Sequence, residues 1–145
     1  KMKEILNDLD KLNAFHPYCS LDKWMDDARK MGDSPRLKDY YEKNARNLIT
    51  TWGGSLNDYA SRSWAGLISD YYAKRWEVYI NTFINAAEKG VEVDQQQLED
   101  ELKEIEAGWV NATDRKNIRK DVHSTNDGLL SFSTFLFSKY QRLVK

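Results

Sequence analysis

The sequence predicts an all-α fold, a bundle-like domain of six or seven helices. Apolar side chains recur at three- and four-residue spacing over most of the chain. No segment alternates as a half-buried strand does, and only two prolines and seven glycines punctuate the periodic stretches. A chain of 145 residues is enough for one domain that buries an ordinary core without staples.

Met2, Ile5, Leu9 and Leu12 make the first stripe, which ends near Asn13; His16-Pro17-Tyr18 connects it to the next. Ser20 is a natural N-cap for a helix striped by Leu21, Trp24, Met25 and Ala28, with Gly32 placed as its C′ residue. Ser34-Pro35 reads as N-cap and N1 proline, because the first turn does not use that N–H. The helix it opens carries Leu37, Tyr41, Ala45 and Leu48 to about Thr50, and Trp52-Gly53-Gly54-Ser55 interrupts the pattern. Asn57 or Asp58 is expected to cap a fourth helix with Ala60, Trp64, Leu67, Ile68 and Tyr71 inward. Near Ala73-Lys74 it bends or restarts, and Trp76, Ile80, Phe83, Ile84 and Ala87 extend the stripe to Gly90. Asp94-x-x-Gln97 is a capping box before Leu98, Leu102, Ile105 and Trp109. Residues from Val110 to Asn126 read as a polar loop, and a final helix carries Leu129, Phe132, Leu136, Phe137, Tyr140 and Leu143.

Composition narrows the function. With 12% aromatic and 31% charged residues and a net charge of -1, the chain is neither disordered nor globally basic, so no nucleic-acid partner is expected. No apolar run approaches the roughly 18 residues of a membrane span, so no membrane partner is expected either. Cys19 is the single cysteine and forms no internal disulfide. Lys1-Met2-Lys3-Glu4 already carries helical periodicity, and the expectation is a piece of a longer polypeptide.

Chemistry-bearing constellations are sparse. His16 and His123 lack second ligands at metal spacing, so neither a metal nor another cofactor is expected. His16 and Cys19 form a thiol–imidazole pair only on paper, against the plainer reading of a partly buried thiol at a helix start. Glu99, Asp100, Glu101, Glu104 and Glu106 surround an apolar stripe and read as a solvated outer face. Arg115-Lys116-Asn117-Ile118-Arg119-Lys120 lacks interleaved aromatics and reads as a loop offsetting those acids. Asn111-Ala112-Thr113 fits the glycosylation sequon, a signal of low specificity. Most aromatics between Tyr40 and Phe83 read as core. Trp52 differs because it precedes two glycines at an interruption, and Tyr59 is close enough to share that end of the bundle. Such rings suit either the apolar face of a sugar or a core or interface contact.

The same stretch is specific at the level of letters. Tyr41-Glu42-x-Asn44-x-Arg46-x-Leu48-x-Thr50-x-Trp52-Gly53, then Leu56-Asn57-Asp58-Tyr59-Ala60, then Trp64-Ala65-Gly66-Leu67-Ile68-x-x-Tyr71-Tyr72-x-x-Arg75-Trp76, resembles the C-terminal helical domain of the alpha-N-acetylglucosaminidase family of glycoside hydrolases. The match is motif-level between residues 39 and 85, weaker before it, and one of helix pattern after Gly90. The resemblance implies an upstream catalytic (β/α)8 barrel of about 250 residues in the same chain. Two barrel glutamates would remove terminal alpha-linked N-acetylglucosamine from glycans by a retaining mechanism, acting in animals on heparan sulfate. It implies no catalytic residue within these 145 residues. The helical domain would close one side of the pocket, with Trp52, Leu56 and Tyr59 as substrate-binding residues. It also implies export or a periplasmic location in bacteria and a lysosomal one in animals. The turn departs from the animal pattern, since only Gly53-Gly54-Ser55 separates Trp52 from Leu56, and Lys74 stands where animal members have proline.

The leading expectation is therefore an accessory domain of an exo-glycosidase whose partners are its own barrel and the glycan. The rival is a free-standing helical protein-interaction module that uses an aromatic patch around Trp52 and Tyr59. A self-sufficient enzyme is the least supported reading, because no acid–base pair or metal set stands out.

Overall fold

The computed structural model describes residues 1–58, 60–113 and 126–143. Among the described residues there are six α-helices and one isolated parallel bridge. They are α1 (Met2–Asn13), α2 (Leu21–Lys30), α3 (Pro35–Ile49), α4 (Ala73–Lys89), α5 (Gln95–Asn111) and α6 (Asn126–Tyr140). Local signals placed several ends correctly. Ser34 Oγ accepts the Leu37 N–H with Pro35 at N1, Asp94 accepts the Gln97 N–H, and Gly90 closes α4 at φ 64°. Gly32 is not the left-handed cap expected of it. A Cβ there would lie 2.6 Å from the Lys38 nitrogen, so the glycine is needed for the close approach of α3 to the end of α2.

The antiparallel pair α2–α3 packs through Leu21, Met25, Ala45 and Ile49, with the Trp24 indole N–H donating to the Ala45 carbonyl at 2.9 Å. Leu37 and Leu48, expected inward on α3, are exposed. The buried face is Glu42, Ala45, Arg46 and Ile49, about one position round the helix. An ion pair turns it that way: Arg46 Nη2 donates to Glu42 Oε1 at 2.7 Å, and Arg46 Nη1 reaches the Trp109 carbonyl of α5 at 3.1 Å.

The expected helix from Asn57 or Asp58 does not form. Residues 61–64 run without regular structure, and the bridge follows: Leu21 N–H donates to the Ala65 carbonyl at 2.9 Å and Ala65 N–H to the Cys19 carbonyl at 2.8 Å. Ser20 thus contributes to the bridge through its backbone, and its side chain makes no cap. The helix begins at Leu67, where Asp10 of α1 accepts the Gly66 and Ser69 N–H groups at 2.8 and 3.0 Å. A carboxylate from a distant helix thus serves as the N-cap. A π-helical turn at Ile68–Tyr72 then leads directly into α4, so Lys74 interrupts nothing. Tyr71 and Leu67 enter the core with Trp109 and Val110 of α5, and Trp64 packs half-buried at its edge.

On α1 the expected apolar stripe is half outside, with Ile5 and Leu9 exposed, while Asp8 and Asp10 are buried. Asp8 accepts from Lys139 Nζ at 2.6 Å and the Tyr140 hydroxyl at 2.7 Å, tying α6 to α1. Those two donors hold the Asp8 carboxyl below the usual carboxylate range. A depressed acid stabilises the fold above its unfolded value, about pH 4, and that contribution is lost as pH falls through the lower folded value. The protection of α6 amides, taken relative to free-chain exchange at the same pH, should therefore fall below about pH 4. Asp8→Asn should show that loss of protection already at neutral pH.

Candidate functional site

The segment after α3 is a compact turn held from below. Thr50 leaves the helix at φ -130°, ψ -80°, and its hydroxyl donates back to the Arg46 carbonyl at 2.9 Å. Gly54 sits at φ 107°, a region that branched residues do not tolerate, while its N–H bonds the Thr51 carbonyl at 2.8 Å. Leu56 (φ 63°) and Asp58 (φ 42°) also lie in the left-handed region, at a cost of about 1–2 kcal/mol for a side-chain-bearing residue. Such strain persists only where the surroundings over-determine it.

Glu106 and Arg75 are those surroundings. Glu106, 2% exposed, accepts from Ser55 Oγ at 2.6 Å, from Leu56 N–H at 3.0 Å and from the Tyr71 hydroxyl at 3.2 Å. Arg75 Nη1 holds both Asp58 oxygens at 2.5 and 2.6 Å, and its Nη2 stands 3.5 Å from Glu106. Burial pushes the Tyr71 hydroxyl well above its ordinary range, so it remains protonated and donates. Glu106 is therefore not part of a solvated face. It lies three residues before Trp109 on the inward stripe of α5, a position that could have flagged it; Asp58–Arg75 had no such local signal.

Of the three residues singled out for sugar contact, Trp52 projects from the turn, 55% exposed. It borders a groove of about 580 Å³ whose other walls include Tyr18, Trp24, Leu48, Arg62 and Trp64. Leu56 is half-buried, its backbone fixed by Glu106. Tyr59 lies outside the described residues. At the rim, Asp27 is paired with Lys23 and Lys30, which pull its carboxyl down to about 2, and the Lys23 ammonium lies 5.2 Å over the Tyr18 ring. Arg62 lies 5.8 Å from the Trp64 ring. Aromatic walls with paired charges at the edge suit a ligand that has apolar faces and hydroxyls.

Other sequence candidates resolve into structural roles. His16 Nδ1 accepts the Tyr18 N–H at 3.3 Å and so caps the short Pro17–Cys19 turn, while Cys19 is partly buried. Asn111 of the sequon lies in the last turn of α5, its amide donating to the Ala107 carbonyl at 2.7 Å. The basic cluster 115–120 and His123 lie outside the described residues. No described helix is long and apolar enough to cross a membrane.

Comparison with known proteins converges on one group. The family model described as "Alpha-N-acetylglucosaminidase (NAGLU) C-terminal domain" matches residues 1–133. Alpha-N-acetylglucosaminidase of Homo sapiens is 31% identical over 114 residues, which are 77% of this chain and 15% of that protein. Two structures of a family 89 glycoside hydrolase from Clostridium perfringens also align with the chain. One is in complex with 2-acetamido-1,2-dideoxynojirmycin and superposes with a TM-score of 0.71; the other is in complex with PUGNAc, with a TM-score of 0.72. Both are 30% identical and cover 95% of this chain and 16% of their own. The chain thus spans only a small part of the relatives it matches. The motif around Trp52, the helical architecture and these matches agree, and the chain belongs to the family of alpha-N-acetylglucosaminidase C-terminal domains.

Proposed function

We propose that this chain is the C-terminal accessory domain of an alpha-N-acetylglucosaminidase-like exo-glycosidase. It packs on an upstream (β/α)8 barrel of the same polypeptide, and the turn at Trp52 forms one wall of the pocket for a terminal alpha-linked N-acetylglucosamine. Trp52 carries the reading: a large ring held out from a turn that is over-determined by Glu106 and Asp58–Arg75, beside an aromatic groove. A wall held that rigidly selects shape without spending binding energy on ordering itself. The catalytic glutamates belong to the barrel, and this domain turns an open cleft into a pocket that accepts only a chain end. Leu56 and Tyr59 complete the wall in this reading. The sugar-like ligands named for the Clostridium perfringens relatives support a glycan as the occupant. The rival module reading gives family membership no role.

In the full-length enzyme, Trp52→Ala should lower kcat/KM on an aryl alpha-N-acetylglucosaminide by about 1–3 kcal/mol, the worth of a lost ring contact. Its melting temperature should stay at the wild-type value, because the ring is mostly outside the core. This 145-residue chain alone should show no turnover above buffer. Unchanged kinetics with a lowered melting temperature would make Trp52 a packing residue and remove it from the pocket.

A further inference from the structure

A buried carboxylate is a poor stabiliser of a fold, since an apolar side chain of similar size serves a core as well or better. Glu106 is nevertheless 2% exposed, and both of its oxygens accept from the turn after α3. Oε2 takes the Ser55 hydroxyl at 2.6 Å, and the Leu56 N–H lies 3.0 Å from Oε1 and 3.1 Å from Oε2. Bonds to an ionised acceptor are about twice as strong as neutral ones. Here they fall on Leu56, whose φ of 63° is one that a side-chain-bearing residue rarely adopts. Arg75 Nη2 at 3.5 Å and the Tyr71 hydroxyl at 3.2 Å meet the charge from the other side.

The hold on Leu56 extends to Trp52 because the turn is bonded to itself. Gly54 N–H donates to the Thr51 carbonyl at 2.8 Å, Asn57 N–H to the Gly54 carbonyl at 3.3 Å, and the Asn57 amide to the Gly53 carbonyl at 2.7 Å. Residues 51–57 therefore shift as one piece. The same turn of α5 also holds the other end of that piece. Arg46 Nη1 donates to the Trp109 carbonyl at 3.1 Å, and the Arg46 carbonyl accepts the Thr50 hydroxyl at 2.9 Å. Two anchor points on one rigid helical turn fix both the place and the tilt of the piece that carries the Trp52 ring.

We infer that Glu106 is a positioning residue of the sugar site. It touches no substrate; through Ser55 and Leu56 it sets where the Trp52 ring stands, so a helix 50 residues further along the chain places the wall. This rests on the pocket-wall reading above. A wall makes the same contacts before and during the reaction, so losing its placement weakens binding and leaves the chemical step alone.

Kinetics of the full-length enzyme test this. Glu106→Met keeps the length and packing of the side chain and removes the acceptors. On an aryl alpha-N-acetylglucosaminide KM should rise about tenfold, with kcat within about twofold of wild type. The Kd of 2-acetamido-1,2-dideoxynojirmycin, the ligand of one relative, should rise by the same factor. With Trp52→Ala already present, Glu106→Met should add no more than about twofold, because both act through one ring. Ser55→Ala removes one donor from an exposed position and leaves the interior intact. It should raise KM about threefold, again without adding to Trp52→Ala, and it decides the matter if Glu106→Met does not fold. An unchanged KM in folded Glu106→Met, or in Ser55→Ala where that variant decides, would overturn the proposal. So would effects that add in full to Trp52→Ala, and so would a collapse of kcat at constant KM, which would put the carboxylate at the reacting atoms. A silent Trp52→Ala removes the pocket-wall reading itself, whereas a silent Glu106→Met beside an affected Trp52→Ala removes only the positioning role.

Discussion

Tyr71→Ala should lower the unfolding free energy by about 3–5 kcal/mol, the range for deleting a large buried ring. Tyr71 is fully buried, at 5.1 Å centroid distances from both Tyr72 and Trp109, and it also contacts Arg75. Trp109 is held by Arg46, whose guanidinium lies 4.7 Å from its ring and donates to its carbonyl, so that ring does not fill the space. The hydroxyl can be separated from the ring. Tyr71→Phe removes one donor from Glu106 and one acceptor from Arg75 Nη1, a loss of about 0.5–1.5 kcal/mol. Glu106 keeps Ser55 and Leu56, so the turn at Trp52 should survive that variant. Urea unfolding of both variants checks the ranking: the midpoint should fall several times further for alanine, at unchanged slope. Equal losses would mean that the hydroxyl network, rather than the packed ring, holds this region.

Glu42→Ala should cost about 3–5 kcal/mol, because it leaves a buried guanidinium uncompensated. Glu42 is fully buried between Arg46, at 2.7 Å, and Arg29, at 2.7 Å. The two arginines are not equal losers. Arg29 retains Asp39 at 2.8 Å and reaches water, so it recovers part of its solvation. Arg46 side-chain exposure is 4%, and it would be left with the Trp109 carbonyl and the Trp109 ring at 4.7 Å. Arg29→Ala should therefore be the milder change, because Glu42 keeps its bonds from Arg46 when Arg29 is removed. Denaturant midpoints of the two variants test the order. Should Arg29→Ala prove as costly as Glu42→Ala, the pairing that matters is on the α2 side and not with α5.

The candidate site was legible unevenly. Trp52 before two glycines stood out because a helix pattern breaks there and the letters match a family motif. The turn's supports did not stand out. Glu106 sits in an acidic run whose other members, Glu99, Asp100, Glu101 and Glu104, do face outward or sit half-exposed. Only its place three residues before Trp109 distinguishes it. Glu42, Asn44 and Arg46 belong to the family-like motif, and two of them form a buried ion pair of the framework.

By itself the sequence determined the all-α class, the family, and three helix ends whose signal is local: Ser34-Pro35 opening α3, Asp94 opening α5, Gly90 closing α4. Caps and stripes act between residues three or four apart, so they leave a readable pattern. The tertiary structure alone decided that residues 61–64 stay irregular and Ala65 pairs with the start of α2, that the next helix waits until Leu67, and that Asp10, Glu42, Arg46 and Glu106 lie inside. Asp10 reaches Gly66 across 56 residues and Glu106 reaches Leu56 across 50. At such separations the partner's identity leaves no trace in the local pattern. A buried carboxylate whose donors come from another helix then looks, in the sequence, like any solvated one.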